Sequence, residues 1–289
     1  MAVARLAVCV PDGEGIRRED TLYVVPFTQD ADNPMIVVAL DTTTRAGSVA
    51  ILRAGEILTS RKGHADRTHG ERLPNDILTL LTEVGRAPAD VDLYAVCSGP
   101  GSFTGLRVGL ATIQGLAMAT GRPVVTIPTL EALAYAGWWS DKNSPAPVTP
   151  ARVIPLMNAQ RGELFAAVYL AKAQPPQRDG RGMTLEIAPF VGTSTAVVDR
   201  LASTLEAGPV VLVGDGVSDA QPLLDGVGDV RHLILSHLPP LAPVIARLAE
   251  GAADSDRIAP HAIRPVYVRR PDAELARERR QSGHDPAHT

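Results

Sequence analysis

The chain has 289 residues, a formal net charge of -4 and a hydrophobic fraction of 45%. This length allows two modest domains with real apolar cores. The acidic balance argues against strong independent binding of nucleic acid, because phosphate contacts need a basic surface. The sequence has no run of about 18 apolar residues that could span a bilayer. The two cysteines, Cys9 and Cys97, form neither a zinc site nor a disulfide framework. We therefore predict a globular protein of the reducing cytoplasm.

The two ends of the chain differ in composition from the part between them. Residues 1–34 are rich in charged and turn-forming residues, and only one short stretch is apolar. We predict a poorly ordered extension, so that a chain beginning at Met35 should fold normally. Residues 271–289 are charged and have no apolar face, which predicts a frayed tail.

Apolar periodicity predicts the same order of elements in both halves of the chain. From Met35, three strands form a meander of hairpins and alternating helices and strands follow, in the order β-β-β-α-β-α-β-α. Residues 141–152, rich in Pro and Ser, predict a linker between a lobe at 35–140 and a second lobe at 153–270. The second lobe again opens with three strands. We therefore predict an α/β fold of two related lobes.

The first predicted helix covers roughly residues 68–84 and carries one apolar face. Pro74 should delay its regular start or kink it. His69 lies on this helix, but the position four residues later is Leu73, so the i, i+4 histidine pair of a helical metal site is absent. The remaining histidines form no constellation, and we predict no metal site.

Residues 96–117, VCSGPGSFTGLRVGLATIQGLA, predict a strand, a glycine-rich turn and a second helix. The glycine spacing matches neither G-x-G-x-x-G nor G-x-x-x-x-G-K-[ST], which excludes these two nucleotide loops as literal matches. Ser102 or Thr104 can cap the helix, and its first N–H groups could still bind an anion. A nucleophilic role for Ser102 lacks both a G-x-S-x-G context and a suitably placed His-Asp pair. A cap in a tight turn is the favoured interpretation.

The second helix carries two rows of small residues at i, i+4 and i+8. One row is Gly101, Gly105 and Gly109, and the other is Ala111, Gly115 and Ala119. A glycine inside a helix costs roughly 1 kcal/mol relative to alanine, so Gly109 and Gly115 indicate close approach of another backbone. That neighbour is either the protein's own sheet or a helix of another subunit.

Two turns could face a nucleotide. Asp41 ends the first strand before Thr42 and Thr43. An aspartate there either holds metal-bound water or caps its own turn, and capping is the commoner case. In the second lobe a strand ends in a sharp turn that could line a cleft, formed by Gly214, Asp215 and Gly216.

Six stretches occur in the order seen in the TsaB (YeaZ) family: VALDTTT, HGERL, SGPGSFTGLRVG, TLEALA, NAQRGELF and RPVYVR. From Met35 to Arg269 the chain resembles this bacterial partner subunit of threonylcarbamoyladenosine synthesis on transfer RNA. The resemblance implies the actin/Hsp70/sugar-kinase fold, in agreement with the two predicted lobes. The chain departs from the family at Asn158, where an aspartate is common, and in residues 1–34.

The resemblance also implies a function. The catalytic relative, TsaD, transfers the threonylcarbamoyl group to N6 of the adenosine beside the anticodon, in transfer RNAs that read codons beginning with A, and uses a metal bound by an H-x-x-x-H helix. This chain lacks that histidine pair and is implied to be a non-catalytic subunit with no cofactor of its own, while the complex uses ATP and magnesium. The implied partners are a TsaD-like subunit, a TsaE-like ATPase and, through the complex, transfer RNA; the isolated chain could also form a homodimer. The implied interface lies on the first-lobe helices and comprises His69, Glu71, Leu73, Leu78, Gly101, Ser102, Phe103, Thr104, Gly105, Arg107, Val108, Gly109, Ala111, Thr112 and Gly115.

The alternative function is an autonomous ATP-binding phosphotransferase or ATPase of the same fold. It would use Asp41 and the glycine-rich turns, and it requires magnesium-dependent nucleotide binding by the isolated chain. A glycoprotease ranks last, because neither a nucleophile nor a metal site is visible in the sequence.

Overall fold

The computed structural model describes residues 34–43, 46–63, 69–142, 152–171, 182–224, 230–232 and 240–269. Within these ranges the chain forms two five-stranded sheets and six α-helices. The predicted extension up to residue 33, most of the predicted linker and the predicted tail lie outside the described residues.

The first lobe follows the predicted order of elements. Its elements are β1 (Ile36–Asp41), β2 (Ser48–Arg53), β3 (Glu56–Lys62), α1 (His69–Glu83), β4 (Leu93–Gly99), α2 (Phe103–Thr120), β5 (Val124–Pro128) and α3 (Thr129–Lys142). The strand order is β3-β2-β1-β4-β5. Strand β1 is antiparallel to β2 and parallel to β4, and β4 is parallel to β5. A meander of three strands is thus extended by two crossover strands.

The second lobe repeats this topology. Its elements are β6 (Arg152–Asn158), β7 (Glu163–Ala171), β8 (Met183–Thr193), α4 (Ser194–Glu206), β9 (Val210–Val213), α5 (Val217–Leu224), β10 (Val230–His232) and α6 (Ala242–Glu250). The strand order β8-β7-β6-β9-β10 corresponds strand by strand to that of the first lobe. The predicted α/β fold of two related lobes is confirmed. Helix α5 was not predicted, because it has only eight residues and contains Pro222.

Helices α3 and α6 form an apolar layer that both lobes share. Helix α3 follows the first sheet in sequence but packs mainly on β6, β7 and β9, whereas α6 of the second lobe packs on all five strands of the first sheet. Large side chains such as Tyr135, Trp138 and Ile245 are buried in this layer. On α3, Gly137 lets the helix approach the second sheet, because a Cβ there would lie 2.8 Å from Cβ of Val213.

The outer faces of the sheets are covered by the remaining helices. Helices α1 and α2 pack on the first sheet, and α4 and α5 accompany the second. Helix α1 begins at His69 and continues through Pro74, so the prediction of a delayed start is wrong. Leu73 and Ile77, which flank the proline, are fully buried against the sheet, and this packing outweighs the one hydrogen bond that proline removes.

Among the described helices, none has both the length and the apolar character that crossing a membrane would require.

Candidate functional site

The glycine-rich turn between β4 and α2 is built as a helix cap. Ser102 is the N-cap of α2, and its Oγ accepts a hydrogen bond of 3.2 Å from the backbone N–H of Gly105. The backbone N–H of Ser102 donates to the carbonyl of Thr43 at 3.0 Å, which ties this turn to the loop after β1. Gly99 ends β4 with φ of 116°, in the region that favours glycine. The predicted cap in a tight turn is confirmed.

The first row of small residues serves the protein's own packing. A Cβ on Gly105 would overlap the carbonyl oxygen of Thr42, and one on Gly109 would overlap the Thr42 side chain. A Cβ on Gly101 would lie 2.6 Å from Cβ of Thr43. The backbone that approaches α2 on this side is therefore the loop after β1. This corrects the implied interface, because Gly105 and Gly109 are buried beneath that loop.

Leu73 requires the same correction. Its side chain is fully buried in the core between α1, α2 and the first sheet. It contributes to folding and is not accessible to a partner in this conformation.

The second row of small residues lies on the outside. Ala111, Gly115 and Ala119 are exposed, and a Cβ added at Gly115 would meet no described atom within 4 Å. Met118 beside them is 64% exposed. Packing within the described part of the chain therefore does not explain a glycine at 115.

The exposed row continues toward the start of α2 as one stripe. Residues four apart in a helix are surface neighbours, and the stripe, which we call the α2 stripe, comprises Phe103, Arg107, Ala111, Gly115 and Ala119. All five are exposed. The N-terminal end of the stripe carries two large side chains, one of them cationic, and the remaining three positions carry only small residues. Val108 and Thr112, also in the implied interface, are half-buried beside it, and Thr104 is exposed.

The bulky end of the stripe is held in place by the C-terminal segment. The ring centroids of Phe103 and Tyr267 lie 5.4 Å apart, and the Arg107 guanidinium carbon lies 3.9 Å from the Phe103 centroid. The Nε–H of Arg107 donates to the Tyr267 hydroxyl at 3.3 Å. Tyr267 carries no site signal in the sequence beyond its position in RPVYVR.

The other implied interface residues lie on α1. Leu78 is 44% exposed on its outer face. His69 and Glu71 belong to its first turn, and their side chains are outside the described part of the chain. No group of three or more His, Cys, Asp or Glu side chains among the described residues is placed to hold a metal ion.

In the turn after β1, the Asp41 side chain is hydrogen-bonded within the turn itself. Asp41 is 2% exposed, and its Oδ1 accepts hydrogen bonds from the backbone N–H of Thr43 at 2.8 Å and from the Thr43 hydroxyl at 2.6 Å. The Thr42 side chain is buried against Gly109. This geometry favours the turn-capping interpretation of Asp41 over a nucleotide-facing one.

The turn after β9 is likewise tied into its own lobe. Oδ1 of Asp215 accepts a hydrogen bond of 2.9 Å from the backbone N–H of Asn158, and the Asn158 amide donates to Asp219 at 3.1 Å. Burial raises the pKa of the Asp215 carboxyl, and the hydrogen bond from Asn158 partly opposes this shift. Gly214 and Gly216 both pass close to the backbone of Leu156. Asp215 therefore has a structural partner in the backbone of Asn158.

Comparison with known proteins gives matches both in sequence and in structure. Residues 56–175 match the family described as "TsaD: tRNA N6-adenosine threonylcarbamoyltransferase". The tRNA threonylcarbamoyladenosine biosynthesis protein TsaB of Escherichia coli is 33% identical over 52% of this chain, a match that spans 58% of that relative. The TsaB protein of Bacillus subtilis is 24% identical over 83% of this chain and 96% of its own length. The solved structure of YeaZ from Pseudomonas aeruginosa is 29% identical, with a TM-score of 0.65 over 81% of this chain and 99% of that one.

The duplicated strand order and the shared layer of α3 and α6 define a two-lobed α/β protein of the actin/Hsp70/sugar-kinase class. Within that class, the chain is similar in sequence and in structure to the TsaB (YeaZ) proteins, and it spans little more than half the length of the Escherichia coli relative.

Proposed function

We propose that this protein is a non-catalytic subunit of the complex that attaches the threonylcarbamoyl group to N6 of the adenosine beside the anticodon. It acts by binding a TsaD-like catalytic subunit through the α2 stripe. The observation that carries the proposal is the exposed glycine at 115, for which the described chain offers no packing neighbour. The names of the relatives, which refer to threonylcarbamoyladenosine biosynthesis, support the pathway.

The α2 stripe has the shape that a partner helix requires. Helix axes usually pack 8–10 Å or so apart, and rows at i±4 form the ridges and grooves of the commonest packing class. Ala111, Gly115 and Ala119 provide a shallow groove of that kind, where a second backbone can approach closely. Burial of the neighbouring Met118 side chain would add to the contact area.

The bulky end of the stripe provides an anchor. Binding energy at interfaces is concentrated in a few residues, among which aromatic residues and arginine are enriched. Phe103, Arg107 and Tyr267 are such residues, and their mutual contacts hold them in place before a partner arrives. Less side-chain freedom is then lost on binding.

The first test is complex formation with the TsaD-like subunit of the same organism. Size-exclusion chromatography with light scattering should show one heteromeric species at micromolar concentrations, since we expect a dissociation constant of about 1 μM or tighter. Runs of this chain alone at matched concentrations measure any homodimer that competes for the same face. Separate elution of the two proteins at every ratio would exclude the proposed interface.

A calorimetric titration with magnesium and ATP addresses the alternative function. An autonomous ATPase requires nucleotide binding by the isolated chain, whereas a partner subunit that acts through α2 requires none. Binding abolished by Asp41→Ala would favour the alternative.

A further inference from the structure

The C-terminal segment runs along the first lobe before it reaches the second. After α6, the backbone of Ile258 pairs with Val124 in both directions, at 2.8 and 2.9 Å. The Gln114 amide of α2 donates to the carbonyl of Pro260 at 3.1 Å, and Ile263 is buried in the first-lobe core. The segment is therefore fixed to β5 and α2 before its last described residues.

The next residues cross the end of β4. The backbone N–H of Val266 donates to the carbonyl of Ser98 at 2.7 Å. The Val266 carbonyl passes so close to Gly99 that a Cβ at this position would overlap it. The Tyr267 ring then contacts the Phe103 ring in a tilted arrangement. Residues 266 and 267 are thus held by the first lobe at the carboxyl end of a parallel strand.

Arg269 reaches the second lobe. Its Nη1 donates to the carbonyl of Ala159 at 2.9 Å, and its guanidinium forms an ion pair with Glu163. Ala159 follows β6 and Glu163 begins β7, so both lie at the turn after the first strand of the second sheet. Three residues of extended chain span at most about 11 Å. At this point the gap between the two lobes is therefore no wider than these three residues plus the arginine side chain can span.

These contacts lie at a defined place in the fold. Strands β1 and β4 are parallel, as are β6 and β9, and Ser98 and Ala159 lie at the carboxyl edges of the two sheets. In open α/β sheets the crevice outside the carboxyl ends of the strands is where ligands bind. The shared layer of α3 and α6 connects the lobes elsewhere, between the sheets.

We propose that residues 263–269 form a latch that holds the mouth of the interlobe crevice closed. The latch joins the carboxyl edge of β4 to the turn between β6 and β7. This inference concerns the crevice alone and does not depend on partner binding by the α2 stripe.

The contacts on the second-lobe side suit a reversible closure. The side chains of Arg269 and Glu163 are 22% and 35% exposed, and partly exposed ion pairs contribute little to stability. On the first-lobe side, a backbone hydrogen bond, a ring contact and the buried Ile263 hold the segment more firmly. The latch therefore opens at Arg269 and stays attached to the first lobe.

The test measures the distance across the crevice mouth with paired spin labels. Thr104→Cys and Ser218→Cys place labels at exposed positions next to the two carboxyl edges, in a Cys9→Ser background where Cys97 remains buried. The parent should give a single narrow distance distribution. Arg269→Ala should add a population several ångströms longer, because the second-lobe contact is lost, and Glu163→Gln should do so to a smaller extent.

Arg264→Ala is the matched control. Arg264 belongs to the same segment, but within the described ranges its guanidinium donates only to the nearby carbonyls of His261 and Ile263. This variant should keep the distance distribution of the parent. Parent-like distributions in both Arg269→Ala and Glu163→Gln would overturn the latch. An equal broadening in Arg264→Ala would also overturn it, because the effect would then not come from the contact between the lobes.

Discussion

Gly109→Leu is expected to destabilise the native state by about 3 kcal/mol or more, at the upper end of the usual cost of overpacking. Replacing glycine by a better helix former would itself stabilise the native state by only about 1 kcal/mol. The added side chain would overlap Thr42, which is fully buried and cannot swing into solvent. The loop that carries Thr42 is fixed through Thr43, whose backbone N–H donates to Asp41 and whose carbonyl accepts from the Ser102 N–H.

Urea unfolding followed by circular dichroism checks this expectation. Gly109→Ala should lose less stability than Gly109→Leu, because the clash is confined to one methyl group. If Gly109→Leu unfolded at the same urea concentration as the parent, the close contact between α2 and the loop after β1 would be wrong.

Gly115→Leu is expected to have the opposite profile, with folding intact and partner binding lost. No described atom lies within 4 Å of the added Cβ, and leucine is a better helix former than glycine, so stability should stay the same or rise by up to about 1 kcal/mol. The leucine would fill the groove of the α2 stripe and separate the two helix axes. We expect the affinity for the TsaD-like subunit to fall by at least about 100-fold, which corresponds to roughly 2.7 kcal/mol.

Ser203→Leu controls for the addition of an exposed leucine. Ser203 is an exposed residue of α4 on the second lobe, far in the fold from the α2 stripe. This variant should bind the TsaD-like subunit as the parent does in isothermal titration calorimetry. If Gly115→Leu also bound with parental affinity, a different surface would have to make the interface.

Most of the fold was predictable because its signals are local. The strands from Ile36 to Lys62 are bounded by turn residues, and the apolar positions of α1 and α2 recur at helical spacing. The repeated order of elements then predicted two related lobes. Helix α5 was missed because eight residues give too little periodicity to distinguish a helix from a turn.

The candidate site was predictable only in part, because the role of each of its residues depends on which residues lie next to it in the folded chain. The rows that contain Gly109 and Gly115 have the same spacing, and both indicate close approach. Only the structure shows that one row meets the chain's own loop and the other faces outward. The role of Arg269 was invisible for the same reason, because its partner Glu163 lies more than a hundred residues earlier in the chain.

The most direct test of the proposed subunit role is a reconstituted modification reaction. It contains the TsaD-like subunit, the TsaE-like ATPase, an enzyme of the TsaC type that supplies the adenylate, ATP and unmodified transfer RNA. If this chain is the non-catalytic subunit, threonylcarbamoyladenosine forms only when it is present, Gly115→Leu fails to restore the product and the chain alone produces none. Full modification without this chain, or modification by this chain without the TsaD-like subunit, would contradict the account.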